Sequence, residues 1–244
     1  IDSELTFLGR IHTQKKALFA LRLIQEADFQ NYNVDLIFGL PDSSLQTIEK
    51  NLTKILEYQP THISTYALTL EKGTRFFQKN IQKAPASLEL KQYKFIRQFL
   101  KKYSFNQYEV SAFAQKGYQC QHNLNYWQFG PYLGLGPSAH SFFQMKRYKH
   151  PANLAAYIKN PIPKIPKTSK KQNLLFEYLI FNFRLINGFS IKNTNKLFNI
   201  NFENKYTKAL KKLTTLKLIK ITRDNIRVTT KGLYLLNEIL IEFI

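Results

Sequence analysis

"NVDLIFGLP", Asn33–Pro41, is the stretch whose reading decides the fold. Val34, Leu36, Ile37 and Phe38 make a short apolar run, and Gly39-Leu40-Pro41 stops it. A run of this length, rich in β-branched and aromatic residues and closed by Gly and Pro, predicts a buried strand. Strands that read as near-continuous apolar runs belong to parallel sheets covered by helices. Asp35 sits inside that run, where a carboxylate is costly unless it is paired or hydrogen-bonded. Either it points into a barrel lumen and accepts bonds from a ligand amine or hydroxyl, or it sits at the base of the sheet and pairs with a lysine.

Working outward, both flanks are helical. Thr13–Ala27 carries Ala17, Leu18, Leu21 and Ile24 at the spacing of an amphipathic helix. After the strand, Ser43 or Ser44 can cap a helix with Leu45, Ile48, Leu52, Ile55 and Leu56 on one face, and Pro60 follows its end. The alternation continues with a strand over His62–Leu70, a helix over Ser87–Lys102 and a strand over Phe105–Val110. Repeated strand–helix units predict an α/β fold whose right-handed crossovers curl a parallel sheet toward a barrel. This region is assigned to residues 1–150.

Pro151–Lys171 holds four prolines and many lysines around "NPIPKIPKTSKK", and predicts a semi-rigid linker. Residues 172–244 follow a different pattern. Helices are expected at Asn173–Leu185, Ile191–Phe198 and Lys205–Leu216. A hairpin should turn at Arg223-Asp224-Asn225, and an apolar helix should end the chain. That order resembles a small winged-helix-like α+β domain.

With 244 residues, 44% of them hydrophobic, the chain is long enough for one large domain or two smaller ones. It contains no run of 18 or more apolar residues, so no membrane-spanning helix is expected. A lone cysteine excludes a disulfide framework and fits a reducing, cytoplasmic setting. The net charge of +20 invites a nucleic-acid reading, and Lys205, Lys208, Lys211, Lys212 and Lys217 cluster in one helical stretch. However, Lys, Ile, Asn, Phe and Tyr are abundant together and share A/T-rich codons. Codon bias therefore accounts for the charge without a polyanion partner, and nucleic acid is not the expected ligand.

Ligand-capable chemistry is concentrated in "CQHNLNYWQFGPYLGLGPSAHSF", Cys120–Phe142, which includes the only cysteine and the only tryptophan. Broken by Gly and Pro, it reads as an irregular segment with no obvious helix. Cys120 and His122 are too few for a closed zinc site, which needs four ligands. Imidazole or thiolate can instead ligate haem iron, and Tyr126 and Trp127 can pack on a macrocycle. Earlier in the chain, Arg10 in "FLGRIHT" offers a bidentate fork for a carboxylate.

Four segments in this order, "FLGRIHT", "VDLIFGLP", "YEVSAFAQKGYQCQHNLNYW" and "YLGLGPSAHS", resemble the radical S-adenosylmethionine (SAM) family of oxygen-independent coproporphyrinogen III oxidase-like proteins. His122-Asn123-x-x-Tyr126-Trp127 is similar to the signature of its haem chaperone branch. The resemblance implies a partial radical-SAM-type (β/α) barrel. It implies SAM held by Arg10 and Asp35, with Thr69 and His140 near further contacts. It also implies haem or porphyrin bound by His122, Tyr126 and Trp127, with Cys120 a possible second ligand, and transfer to haem-acceptor proteins. Family members hold a 4Fe–4S cluster on Cys-x3-Cys-x2-Cys, which one cysteine cannot supply. The chain starts at Ile1, and its only methionine is Met145. The expectation is therefore a carboxy-terminal portion, inactive in radical chemistry alone, with a sheet edge exposed where a missing amino-terminal half would pair.

Overall fold

The computed structural model describes residues 1–164 and 171–244, and contacts divide the chain into two units, Ile1–Gln119 and Cys120–Ile244. The division precedes the Cys120–Phe142 segment, which therefore packs with the second unit rather than closing a unit over 1–150.

In the first unit, α1 (Asp2–Phe7) and α2 (Gln14–Glu26) precede β1 (Asn33–Phe38). Then come α3 (Leu45–Leu56), β2 (His62–Ala67), α4 (Arg75–Gln78) and α5 (Ala86–Lys102), and last β3 (Asn106–Gln107) and β4 (Ala112–Ala114). Thr13 caps α2, accepting from the Lys16 amide at 3.3 Å, and of the two serines expected to cap α3 it is Ser44, not Ser43, that accepts from the Thr47 amide at 3.1 Å. Ile48, Leu52 and Ile55 of α3 and Ile96 and Leu100 of α5 are buried, as are Ile63, Phe38 and Phe113 of the sheet. Phe38 stacks on Tyr93 with ring centroids 6.0 Å apart.

β1 and β2 pair in parallel, from Asn33 opposite His62 to Phe38 opposite Ala67, as the strand–helix–strand reading requires. The sheet order is β1-β2-β4-β3, and the last two strands depart from the expected parallel continuation. In place of one strand over Phe105–Val110, the chain makes β3, reverses, and returns as β4 antiparallel to β2. Side chains from α5 fix the reversal. Tyr93 Oη donates to the Val110 carbonyl, and Arg97 Nε donates to Gln107 Oε1 at 2.6 Å. Among the described residues β1 stands at the end of the sheet with no strand on its outer edge, and α2 buries no residue despite its apolar stripe.

The second unit opens with α6 (Gln121–Trp127), a helix where the sequence reads as irregular. Gly130 and Pro131 end the helix instead of preventing it. A Cβ on Gly130 would come within 2.0 Å of Asn125 Oδ1. β5 (His140–Phe143) and β6 (Lys146–Lys149) form a hairpin through Gln144 and Met145, both at positive φ. Within the expected linker, α7 (Leu154–Lys159) is helical and capped by Asn153, and residues 165–170 lie outside the described residues.

Beyond it come α8 (Lys171–Asn182), β7 (Phe189–Ser190), α9 (Ile191–Phe198), α10 (Phe202–Lys205) and α11 (Thr207–Thr215). β8 (Ile219–Thr222), β9 (Asn225–Val228), α12 (Thr230–Leu233) and α13 (Leu236–Ile241) complete it. β7 adds to the β8–β9 hairpin to give a sheet of order β7-β9-β8. Asp224 in the hairpin turn locks that sheet to α9. Its carboxylate accepts from Ser190 Oγ and from the Lys192 amide. The helices and the small sheet close over Leu179, Phe183, Phe198, Phe202 and Ile226, all nearly inaccessible to water.

Candidate functional site

Two groups of side chains carry the chemistry, one in each unit. In the first unit, Arg10 and Asp35 line one cavity of about 860 Å³, together with His12. Its walls are largely apolar: Leu5 and Leu8, the Leu18 and Leu21 stripe of α2, and Val34 and Leu36 of β1. An apolar cleft with a few convergent polar groups is the usual form of a small-molecule site. Asp35 is exposed at the sheet edge, and among the described residues no lysine pairs with it. Its Oδ1 accepts from Asn33 Nδ2 at 2.7 Å.

Asn33 links Asp35 to β2. His62 Nδ1 lies 2.6 Å from Asn33 Oδ1, Ser64 Oγ donates to the same oxygen at 3.0 Å, and His62 Nε2 lies 2.8 Å from Tyr108 Oη. His62 and Ser64 are buried, and burial lowers the His62 pKa while the Asp35 charge opposes that shift. Sequence reasoning missed Asn33, His62, Ser64 and Tyr108. The available signal was the period of 2: Asn33 and Asp35 in β1 and His62 and Ser64 in β2 put polar groups on one sheet face.

Thr69 does not join Arg10 and Asp35. It lines a smaller cavity of about 400 Å³ with Leu70, Phe77, Asn80 and Lys83. His140 belongs to the second unit, exposed on β5 opposite Lys149.

In the second unit, α6 divides the Cys120–Trp127 cluster between two faces. His122 and Tyr126, four residues apart, share a face, with rings edge-to-face at 4.7 Å. Tyr126 in turn meets Tyr132 at 4.5 Å. His122 is exposed, and Tyr126 is half-buried. Trp127 points elsewhere, packing edge-on against Phe181 at 5.9 Å beneath the Arg184 guanidinium at 4.8 Å. Half-buried Cys120 sits at the helix N-cap without a capping bond from its side chain. A cavity of about 610 Å³ between α8 and α9 includes none of these four residues. Among the described residues no three His, Cys, Asp or Glu side chains gather as a metal site, and no helix is long and apolar enough to cross a membrane.

Comparison with known proteins extends this geometry. Residues 170–235 match the family described as the HemN C-terminal domain. The chain is 32% identical over 238 residues to the haem chaperone HemW of Buchnera aphidicola subsp. Schizaphis graminum, covering 96% of this chain and 63% of that protein. It is 40% identical over 139 residues to Escherichia coli HemW, covering 57% of this chain and 37% of that protein. Its fold matches the radical SAM enzyme coproporphyrinogen III oxidase (HemN) from Escherichia coli with a TM-score of 0.80, at 16% identity, over all of this chain and 61% of that one. The chain spans just under two thirds of the Buchnera HemW length. The domain match, the HemW relatives and the shared fold agree: the chain is similar to the HemW/HemN-like proteins over most of its length, and its residues 170–235 to their C-terminal domain.

Proposed function

We propose that this chain is the haem-handling portion of a cytoplasmic haem chaperone, binding haem on α6 for transfer to acceptor proteins. The observation that carries the reading is His122, an exposed imidazole whose own helix sets the Tyr126 ring against it. The residues fit the group. His122 would offer an imidazole nitrogen to the iron, and the Tyr126–Tyr132 pair would offer aromatic surface to the porphyrin. Trp127 acts by holding α6 against Phe181 and Arg184, and Cys120 at the helix start is the second candidate ligand.

In the first unit, Arg10 and Asp35 suit the two polar ends of SAM, a carboxylate for the guanidinium and an amine or hydroxyl for the carboxylate, around an apolar cavity. Thr69 lines a different cavity and His140 lies on β5 of the second unit, so neither is assigned to the cavity of Arg10 and Asp35. A 4Fe–4S cluster does not fit this chain's residues: it has one cysteine, so no radical step is assigned to it. The sequence relatives named above are chaperones, so this reading is favoured over a coproporphyrinogen dehydrogenase or a nucleic-acid-binding winged helix. Haem titration followed by the Soret band tests it. His122→Ala should shift the band and weaken binding, and an unchanged spectrum and affinity would remove the site.

A further inference from the structure

We infer that Asn33, His62 and Tyr108 form a one-directional hydrogen-bonded chain that positions the Asp35 carboxylate for a ligand, which makes them positioning residues of the cavity shared with Arg10. The inference deepens the SAM reading of that cavity and rests on it for the identity of the ligand.

The direction of every link follows from the one group that can only accept. Ionised Asp35 has no proton to give, so the 2.7 Å contact requires Asn33 Nδ2 to donate. That turns Asn33 Oδ1 toward β2, where it receives Ser64 Oγ at 3.0 Å and His62 Nδ1 at 2.6 Å. An amide oxygen cannot donate, so His62 carries its proton on Nδ1. In a neutral ring Nε2 is then bare, and the Tyr108 hydroxyl donates to it at 2.8 Å. The order is Tyr108 to His62 to Asn33 to Asp35, each donor aimed at the carboxylate, and links in such a row polarise one another. The parallel register makes the arrangement possible, because it sets Asn33 beside His62 and Asp35 beside Ser64.

The two ends of the chain differ. His62 is buried at 4% exposure, whereas Asp35 is exposed on the cavity lined by Arg10. A buried anchor with an exposed terminus is what fixing a carboxylate requires. One oxygen is held by Asn33, which leaves the other to accept from a ligand hydroxyl or amine in the cavity that Arg10 also lines. A chain serving the sheet alone would have no reason to end on an exposed charge at an unpaired edge.

Protonation of His62 reverses its link, because Nε2–H then donates and Tyr108 can no longer do so. The titratable groups facing the ring are Asp35 from β1 and Tyr108 from the β3–β4 reversal, while β2 places Ser64 and β4 places Ala114 beside it. Burial favours the neutral ring, so the chain is intact near neutral pH.

The test uses the 244-residue chain and two measurements, SAM affinity by calorimetry and the Asp35 χ1 couplings by NMR without ligand. Wild type should show a single Asp35 rotamer. His62→Leu should average that rotamer and weaken SAM about tenfold, the scale of one misaligned hydrogen bond to a charged group. His62→Asn keeps a donor where Nδ1 stood, and should restore most of the affinity. It should also lose the weakening expected of wild type as pH falls through the lowered His62 pKa. Tyr108→Phe should lie between them. An Asp35 rotamer unchanged in both His62→Leu and Asn33→Ala, with amide spectra still folded, overturns the positioning role whatever the ligand. If wild type does not bind SAM and the rotamer still responds, the SAM reading falls and the positioning role stands.

Discussion

The two units solve burial differently. In the second, Phe183 meets Phe189 at 5.0 Å and Phe243 at 5.1 Å, Phe202 meets Tyr206 at 5.0 Å, and Phe198 meets Tyr178 at 5.3 Å. Aromatic pairs at these separations add to their area burial, so this core is closed on itself. In the first unit, α3 and α5 are sealed against β2 and β4, yet α2 buries no residue and β1 ends the sheet with an open edge. The Leu18–Leu21 stripe that should seal α2 instead lines the cavity of Arg10 and Asp35. Where apolar periodicity finds a partner within its unit it makes core, and where it finds none it makes a site wall.

The largest effect should come from breaking the closed core. Phe198 is 1% exposed and packs on Tyr178 and Phe129. Phe198→Ala should cost about 3–5 kcal/mol, the usual price of a large cavity in a packed core. Leu21→Ala on α2 should cost about 1 kcal/mol or less, because Leu21 is only half-buried and its removal opens no closed cavity. Denaturant unfolding of the two variants measures the contrast, and equal losses would mean that α2 is as well packed as α9.

That contrast also marks what was legible in the sequence. The helices α2, α3, α5 and α9, the strand β1 and the β8–β9 hairpin follow from local signals: apolar spacing, Ser and Thr caps, and turn residues. The β3–β4 reversal was hidden because Tyr93 and Arg97, on a helix elsewhere in the chain, decide it. α6 was hidden because Gly130 and Pro131 read as breakers of the whole segment, whereas they act after its last turn. At the site, the resemblance named Arg10 and Asp35, and the structure lines one cavity with both. The Asn33–His62–Tyr108 chain needs strand register, and no single-strand pattern contains that.

An intermediate effect separates chemistry from packing inside α6. His122 touches Tyr126 and is otherwise exposed, so His122→Ala should leave stability within about 0.5 kcal/mol. It should weaken haem about tenfold or more. Trp127→Ala should do the reverse first, lowering stability through the lost Phe181 and Arg184 contacts, with haem affinity following only as α6 loosens. Trp127→Phe should keep both. Matched thermal melts and haem titrations check the pair, and a Trp127→Phe variant that loses haem at full stability would move Trp127 into the binding surface.

The smallest effect is a pH signature that should differ between the units. His62 has its pKa lowered by burial from 6.5, so the unfolded chain takes up the proton before the folded one does. Stability from this group is complete above pH 6.5 and declines as pH falls through the lowered folded value, with a slope of at most about 1.4 kcal/mol per pH unit for one proton. In the second unit, Asp224 has its pKa lowered from 3.8, first by the Ser190 hydroxyl and then by the Lys192 amide. Its contribution is present above pH 3.8 and disappears as the pH falls through the still lower folded value. Between pH 6.5 and 4 the first unit should therefore weaken from this cause while the Asp224 lock on α9 holds. Hydrogen exchange followed separately in β2 and in β9 across that range reads the difference. His62→Asn should flatten the β2 profile and leave β9 unchanged. Asp224→Asn should alter β9 and α9 alone, because an amide keeps one acceptor for Ser190 and Lys192 but loses the charge. Parallel loss of protection in both strands of wild type between pH 6.5 and 4 would show that neither group controls its own unit.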